Sequence, residues 1–317
     1  MKIFDCFTIR DEIDTAILRM KTHASKVDYF VIAESNKTHT NKDKLFNVEK
    51  YWGRLRDFHD KIIYVKVEDS PESQNFWANE KFQRDALARG LTKAKDGDVI
   101  AVSDLDEIVR PEAWDQIRND SENQIWALRM PTFQFKMNYL MVSDFLPYFY
   151  CARTCAVKHS LGLTPTQIKH LRMKDNENWY RATMLDFDEK WGELPTEQPV
   201  FIEHGGWHFS NMEHLTEKME AGADQRSQSD FTDENIPLGI GMHESCPDRF
   251  IPVVVNSYFP EDLVNNRDDW NDLLVEVADS RLDSSEPFLS QTGVSFKSKS
   301  DVDLEGEENG YSIHNFA

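Results

Sequence analysis

The chain has 317 residues, of which 40% are hydrophobic and 12% aromatic, enough for one large folded α/β domain or two smaller ones. Its formal net charge of −20 argues against binding to a nucleic-acid backbone, because counterion release needs Lys and Arg. A nucleotide ligand stays admissible where local Arg, Lys or metal offsets that field.

Strand and helix patterns alternate over the first 120 residues. Lys2 to Ile9 reads as a strand, and Asp11 to Ser25 as a helix with Ile13, Ile17 and Met20 at helical spacing. Tyr29 to Ala33 is a second buried strand ending at Glu34-Ser35-Asn36, and Ile62 to Val67 a third. Asn75 to Arg89 reads as a helix stopped by Gly90. Val99 to Ser103 is a fourth strand, after which Pro111 starts the next helix. This alternation predicts a mainly parallel sheet flanked by helices.

Beyond residue 120 the pattern changes. Gln124 to Phe135 and Tyr148 to His159 are long aromatic strand candidates with Asn138 to Pro147 between them. Thr164-Pro165 opens a helix that ends near Met173. Val200 to Ser210 follows a polar stretch, with helical segments expected at 211–221 and 259–277. The expected organisation is one domain over 1–278, with a nucleotide-binding half (1–120) and an acceptor half (121–278). Residues 279–317, rich in Ser, Asp, Glu, Lys and Gly, read as a flexible acidic tail.

Cys6, Cys151, Cys155 and Cys246 have neither zinc-ribbon spacing nor disulfide-scaffold density, and they read as buried free thiols. The N-terminus lacks signal-peptide architecture, and no apolar run approaches the ~20 residues that span a bilayer. The expectation is a soluble, cytoplasmic protein without a membrane span.

Asp104-Leu105-Asp106 follows the β-branched run Val99 to Val102. Two carboxylates at i and i+2 past the carboxyl end of a parallel strand lie where open α/β sheets bind ligands. They repel each other unless a divalent cation or cationic ligand joins them, which suits a metal-bound diphosphate. Surface acids after a strand also arise without any ligand. Gly205-Gly206-Trp207-His208 adds a possible imidazole ligand and an apolar ring for a sugar or base. The competing reading is a tight turn with its aromatic packed into the core. Glu80 and Arg84 are spaced for an ordinary i,i+4 pair, while Arg84 and Asp85 could instead flank a nucleotide. Glu34, after the second strand, shares an edge with Asp104 if both strands are parallel.

Several segments occur together in an order that resembles glycosyltransferase family 17, over roughly residues 1–265. They are Phe4 to Arg10 with Glu12, Val27 to Ser35, Thr38-His39-Thr40, Lys61 to Val65, Arg84-Asp85, Ser103 to Ile108 with Arg110-Pro111, and Gly205 to Ser210. That is the family of β-1,4-mannosyl-glycoprotein β-1,4-N-acetylglucosaminyltransferases. The resemblance implies a GT-A-like, Rossmann-like α/β fold, a UDP-sugar donor such as UDP-GlcNAc, a saccharide or glycoconjugate acceptor, Mn2+ or Mg2+, and inversion at the anomeric carbon. It implies metal ligation by Asp106, with Asp104 on the ribose or the metal and His208 completing the shell. Glu34, Arg84 and Asp85 would surround the nucleotide. The chain departs from the animal members in lacking a membrane anchor and stem, which leaves its acceptor open.

The resulting expectation is a metal-dependent inverting glycosyltransferase, with Glu203 as first choice of general base and Asp144 as second. Two rivals are a metal-dependent nucleotide-sugar phosphohydrolase and a non-catalytic sugar- or nucleotide-binding protein of the same fold.

Overall fold

A computed structural model of the protein describes residues 1–142, 150–175, 194–210, 212, 221–222, 249–252 and 255–274. The expected tail at 279–317, Asp144, Cys246 and most of the helix expected at 211–221 lie outside these residues. The chain divides into two units, each discontinuous in sequence. The first comprises Met1–Met130, Cys151–His208 and Glu213–Gln228, and the second Pro131–Tyr150, Phe209–Met212 and Ser229–Ala317.

The first unit is built on β1 (Ile3–Thr8), β2 (Tyr29–Ser35), β3 (Ile62–Val67) and β4 (Val99–Ser103). β1 is parallel to both β2 and β4, and β2 is parallel to β3. Beyond β4 lies β8 (Tyr150–Lys158), antiparallel to it, and then the start of β6 (Ile125–Gln134) with β9 (Val200–Ile202) parallel alongside. The α/β, mainly parallel sheet read from the sequence is therefore present.

Residues alternate across that sheet with the period of two that strands impose. Ile3, Phe7, Phe30, Ile32, Val99 and Ala101 pack with Ile13, Ala16 and Met20 of α1 (Ile13–His23) and with Trp114 and Ile117 of α4 (Pro111–Asn119). Phe4, Cys6, Val31, Ala33, Ile100 and Val102 pack on the other face with Leu87, Ile168 and Leu171. That face carries α3 (Phe76–Asp85) and α5 (Pro165–His170). Pro111 sits in the first turn of α4, where its missing N–H costs nothing.

Several elements were not foreseen. A short α2 (Asn47–Lys50) and a 3-10 turn at Trp52–Phe58 precede β3, and β5 (Glu107–Val109) follows the acid pair. The helix expected over Asn75–Arg89 tightens into 3-10 geometry after Asp85. Val200–Ser210 is two strands, β9 and β10 (Gly206–Ser210).

In the second unit, β6 ends beside β7 (Tyr139–Val142), which pairs antiparallel with β11 (Arg249–Pro252). β7 occupies part of the stretch expected as a connection between two strands. The rings of Phe209 and Phe259 pack against that of Phe133 at tilted angles there, and a short α6 (Glu261–Asn265) leads into a 3-10 turn. Cys6, Cys151 and Cys155 are free thiols. Among the described residues no helix is long and apolar enough to cross a membrane.

Candidate functional site

Because β1 is parallel to both of its neighbours, the carboxyl ends of β2 and β4 lie on one edge of the sheet. Asp104, Leu105 and Asp106 turn there between β4 and β5. The turn closes on itself, with the Glu107 amide donating to Asp104 O (3.1 Å) and the Asp104 amide to Glu107 Oε2 (2.9 Å).

Beneath the turn lies Arg19 of α1, fully buried. Its Nη1 donates to the carbonyls of Asp104 (2.9 Å), Leu105 (3.2 Å) and Glu107 (3.0 Å). Nε and Nη2 grip both oxygens of Asp5 (3.0 and 2.5 Å), and Nη2 also reaches Ser103 Oγ (2.6 Å). Three carbonyl dipoles converging on one point need a cation, and a buried cation needs a counter-charge. Asp5, in the middle of β1, supplies it. Burial alone would raise the Asp5 pKa, but Arg19 and His23 more than reverse this and hold the carboxyl well below the usual carboxylate range. His23 Nδ1 faces Asp5 Oδ2 (2.7 Å) and Nε2 faces Val109 O (2.9 Å). Burial pushes the imidazole below its ordinary value although both facing atoms are acceptors.

The Asp104 carboxylate is surrounded by cations. Lys169 of α5, fully buried, lies 2.9 Å from Asp104 Oδ2 and also donates to Glu107 Oε2. Arg84 of α3 pairs with Glu80 (2.5 Å) and reaches Asp104 Oδ1 (3.4 Å). Arg172 stands farther off, 3.6 Å from Glu107 and 4.0 Å from Asp104. Desolvation would raise the Asp104 pKa, yet Lys169, Arg84 and Arg172 hold it well below the ordinary range. Its side chain is 40% exposed, so water screens these pairs and limits what they add to stability.

Two other expected ligand residues are engaged within the fold. Both oxygens of Glu34 are used, accepting from Lys44 Nζ (2.7 Å), the amides of Asn47 (2.6 Å) and Val48 (3.0 Å), and Tyr64 Oη (2.9 Å). It thus brackets the start of α2. Asp85 accepts from the Thr166 amide (2.9 Å) and pairs with Lys81 (2.5 Å), which ties α3 to the first turn of α5. A Thr164–Gln167 capping box and Pro165 complete that turn.

Asp106 has different company. β10 pairs antiparallel with β5, setting His208 opposite Glu107 and Gly206 opposite Val109. A Cβ at Gly206 would sit 2.1 Å from Ile108 O, and one at Gly205 2.7 Å from Leu128 Cβ. The two glycines therefore serve close approach between strands rather than unusual dihedrals. His208 Nε2 comes to 3.7 Å from Asp106 Oδ1, with the side chains 12% and 16% exposed. An imidazole and a carboxylate this close are chemically suited to hold a divalent ion together, though among the described residues no group of three or more His, Cys, Asp or Glu is arranged to hold one.

Trp207 is 2% exposed, with the Arg110 guanidinium 5.2 Å from its ring centroid, so the indole is packed rather than open. Glu203, in the turn before β10, pairs with Arg129 Nη1 (2.5 Å), and Arg129 also holds Asp175 (2.6 Å).

Sequence reasoning missed Asp5, Arg19, His23, Glu107, Lys169 and Arg172. A signal was present for the first three. Asp5 interrupts an apolar strand, and Thr15, Arg19 and His23, four apart, share the buried face of α1.

No curated protein matches the chain. Several solved structures show distant likeness, the following two among them. One, described as a glucose-1-phosphate thymidylyltransferase from Bacillus anthracis in complex with sucrose, is 10% identical, with 65% of this chain and 88% of that one covered and a TM-score of 0.33. The other, a 2-C-methyl-D-erythritol 4-phosphate cytidylyltransferase from Francisella tularensis, is 11% identical, with 64% and 90% covered and a TM-score of 0.28. Likenesses this remote say nothing of substrate. The model of glycosyltransferase family 17 matches residues 1–176, more than half of the sequence and all of the acid turn with its cations. The chain belongs to glycosyltransferase family 17, and it is a glycosyltransferase.

Proposed function

We propose that the protein is a metal-dependent inverting glycosyltransferase that moves GlcNAc from UDP-GlcNAc to a saccharide hydroxyl. The observation that carries this reading is the Asp106–His208 pair, 3.7 Å apart on the carboxyl edge of a parallel sheet. These two side chains would hold Mn2+ or Mg2+. The chemistry gained with the cation bound is a positive charge opposing that of the departing diphosphate. Asp104 is left to Lys169 and Arg84, which keep it ionised and fix its place at the turn. Glu203 is the general base of this reading, taking the proton from the acceptor hydroxyl as the oxygen attacks the anomeric carbon from the face opposite UDP. Arg129 orients its carboxylate. Asp144 is the second candidate for that role and lies outside the described residues. Alignment of donor and acceptor supplies most of the remaining acceleration.

The test is a screen of UDP-, GDP- and dTDP-sugars with Mn2+ and a panel of saccharides, following nucleotide release. The reading predicts release from UDP-GlcNAc that requires both Mn2+ and an added saccharide. Release at the same rate with water as sole acceptor would make the protein a hydrolase instead. Saccharide-dependent release without added metal would remove the cation from the mechanism.

A further inference from the structure

We propose that Arg172 is the guanidinium that receives the diphosphate of the donor. It lies on the 3-10 turn Leu171–Asp175 that continues from α5, with its side chain 27% exposed. Its ion-pair partners among the described residues are Glu107 Oε1 at 3.6 Å and Asp104 Oδ2 at 4.0 Å, both beyond hydrogen-bonding distance. Arg19, Arg84 and Lys169 are spent in a way that Arg172 is not. The nitrogens of Arg19 are placed on Asp5, Ser103 and three carbonyls. Arg84 is bonded to Glu80, and Lys169 is buried between Asp104 and Glu107.

The two carboxylates nearest Arg172 already share the Lys169 ammonium, and Asp104 also has the Arg84 guanidinium at 3.4 Å. What remains is a planar fork of N–H donors, part exposed and held near the acid turn by charge alone. Phosphate oxygens accept such a fork in pairs, and Arg suits that geometry better than a point charge does. The need is acute in a chain of net charge −20, where an anion is repelled unless a cation meets it locally. Position agrees with chemistry, since Asp104 is two residues from Asp106. This assignment rests on the donor being a nucleotide diphosphate sugar.

The experiment is calorimetric titration of the full chain with UDP, uridine and inorganic pyrophosphate, for the wild type, Arg172→Met and Arg172→Lys. Arg172→Met is expected to weaken UDP and pyrophosphate at least about tenfold, leave uridine within about twofold and leave the melting temperature nearly unchanged. Arg172→Lys, which keeps the charge but loses the fork, should fall between. Wild-type affinity for UDP and pyrophosphate in Arg172→Met would overturn the assignment. Pyrophosphate separates this from failure of the donor reading. If the wild type binds pyrophosphate but not UDP, and Arg172→Met loses pyrophosphate, Arg172 stands and the uridine donor falls. If the wild type binds neither, both fall.

Discussion

Asp104 and Asp106 belong to one turn, two residues apart, and they differ in the ion pairs they make. Asp104 faces an ammonium at 2.9 Å and a guanidinium at 3.4 Å, with a second guanidinium at 4.0 Å. Asp106 faces an imidazole at 3.7 Å, brought there by a strand that needs glycine to approach. In the proposed reading, a carboxylate balanced by fixed cations offers little to a metal ion, and the one beside an imidazole supplies part of its ligand set. Alternation along the chain does not by itself make two acids equivalent. The elements that pack beside each of them, helices for Asp104 and a strand for Asp106, set its partners.

The broadest way to break this contrast is to remove what both acids stand on. Arg19→Met leaves Asp5 buried without its partner and three carbonyls unmet, so about 3–5 kcal/mol of stability should go, measured by urea unfolding. A loss below about 1 kcal/mol would mean that the turn holds its shape without the guanidinium.

Lys169→Met sharpens the contrast by stripping Asp104 of its closest cation and leaving Glu107 buried with less compensation. The expected cost is about 2–4 kcal/mol, together with a rise in the Asp104 pKa that carboxyl NMR would follow. An Asp104 that titrates as in the wild type would show Arg84 and Arg172 to be sufficient.

Glu203→Gln probes the Asp106 side. The expected outcome is a fall in kcat of about 10²-fold or more with KM for the donor little changed. An unchanged kcat would reduce Glu203 to an ion-pair partner of Arg129 and move the base elsewhere.

The smallest expected effect is on pH dependence. Burial, helped by the nearby Arg172, lowers the pKa of His170 to about 3. The unfolded chain takes up this proton near ~6.5 and the folded chain does not, so stability should fall as pH drops from about 6.5 towards about 3. His170→Asn should flatten part of that decline in melting temperature against pH. A slope identical to the wild type would show that His170 is not the group responsible.

The parallel half of the fold was legible because its strands are short β-branched runs and its helices repeat every three to four residues. β1 to β4 and the Pro111 start of α4 emerged that way. β5 was not legible, since three residues after an acid turn carry no periodicity, and β7 was hidden in a stretch taken for a connection. The acid turn could be read from position alone. Its cations could not, because Lys169 and Arg172 are 62 and 65 or more residues from Glu107 and Asp104 and only the packing of α5 brings them together. Glu34 stands on the expected edge and Asp85 at the end of α3, yet backbone amides distant in sequence claim their carboxylates. Contacts of this kind leave no mark on a composition or charge pattern.

The most direct test of the central claim is Mn2+ affinity, measured by electron paramagnetic resonance in the presence of UDP, for Asp106→Asn and Asp104→Asn at equal folded fraction. The account predicts a loss of at least about tenfold for Asp106→Asn and less than about threefold for Asp104→Asn. Equal losses, or a larger one at Asp104, would contradict the division of labour between the two acids.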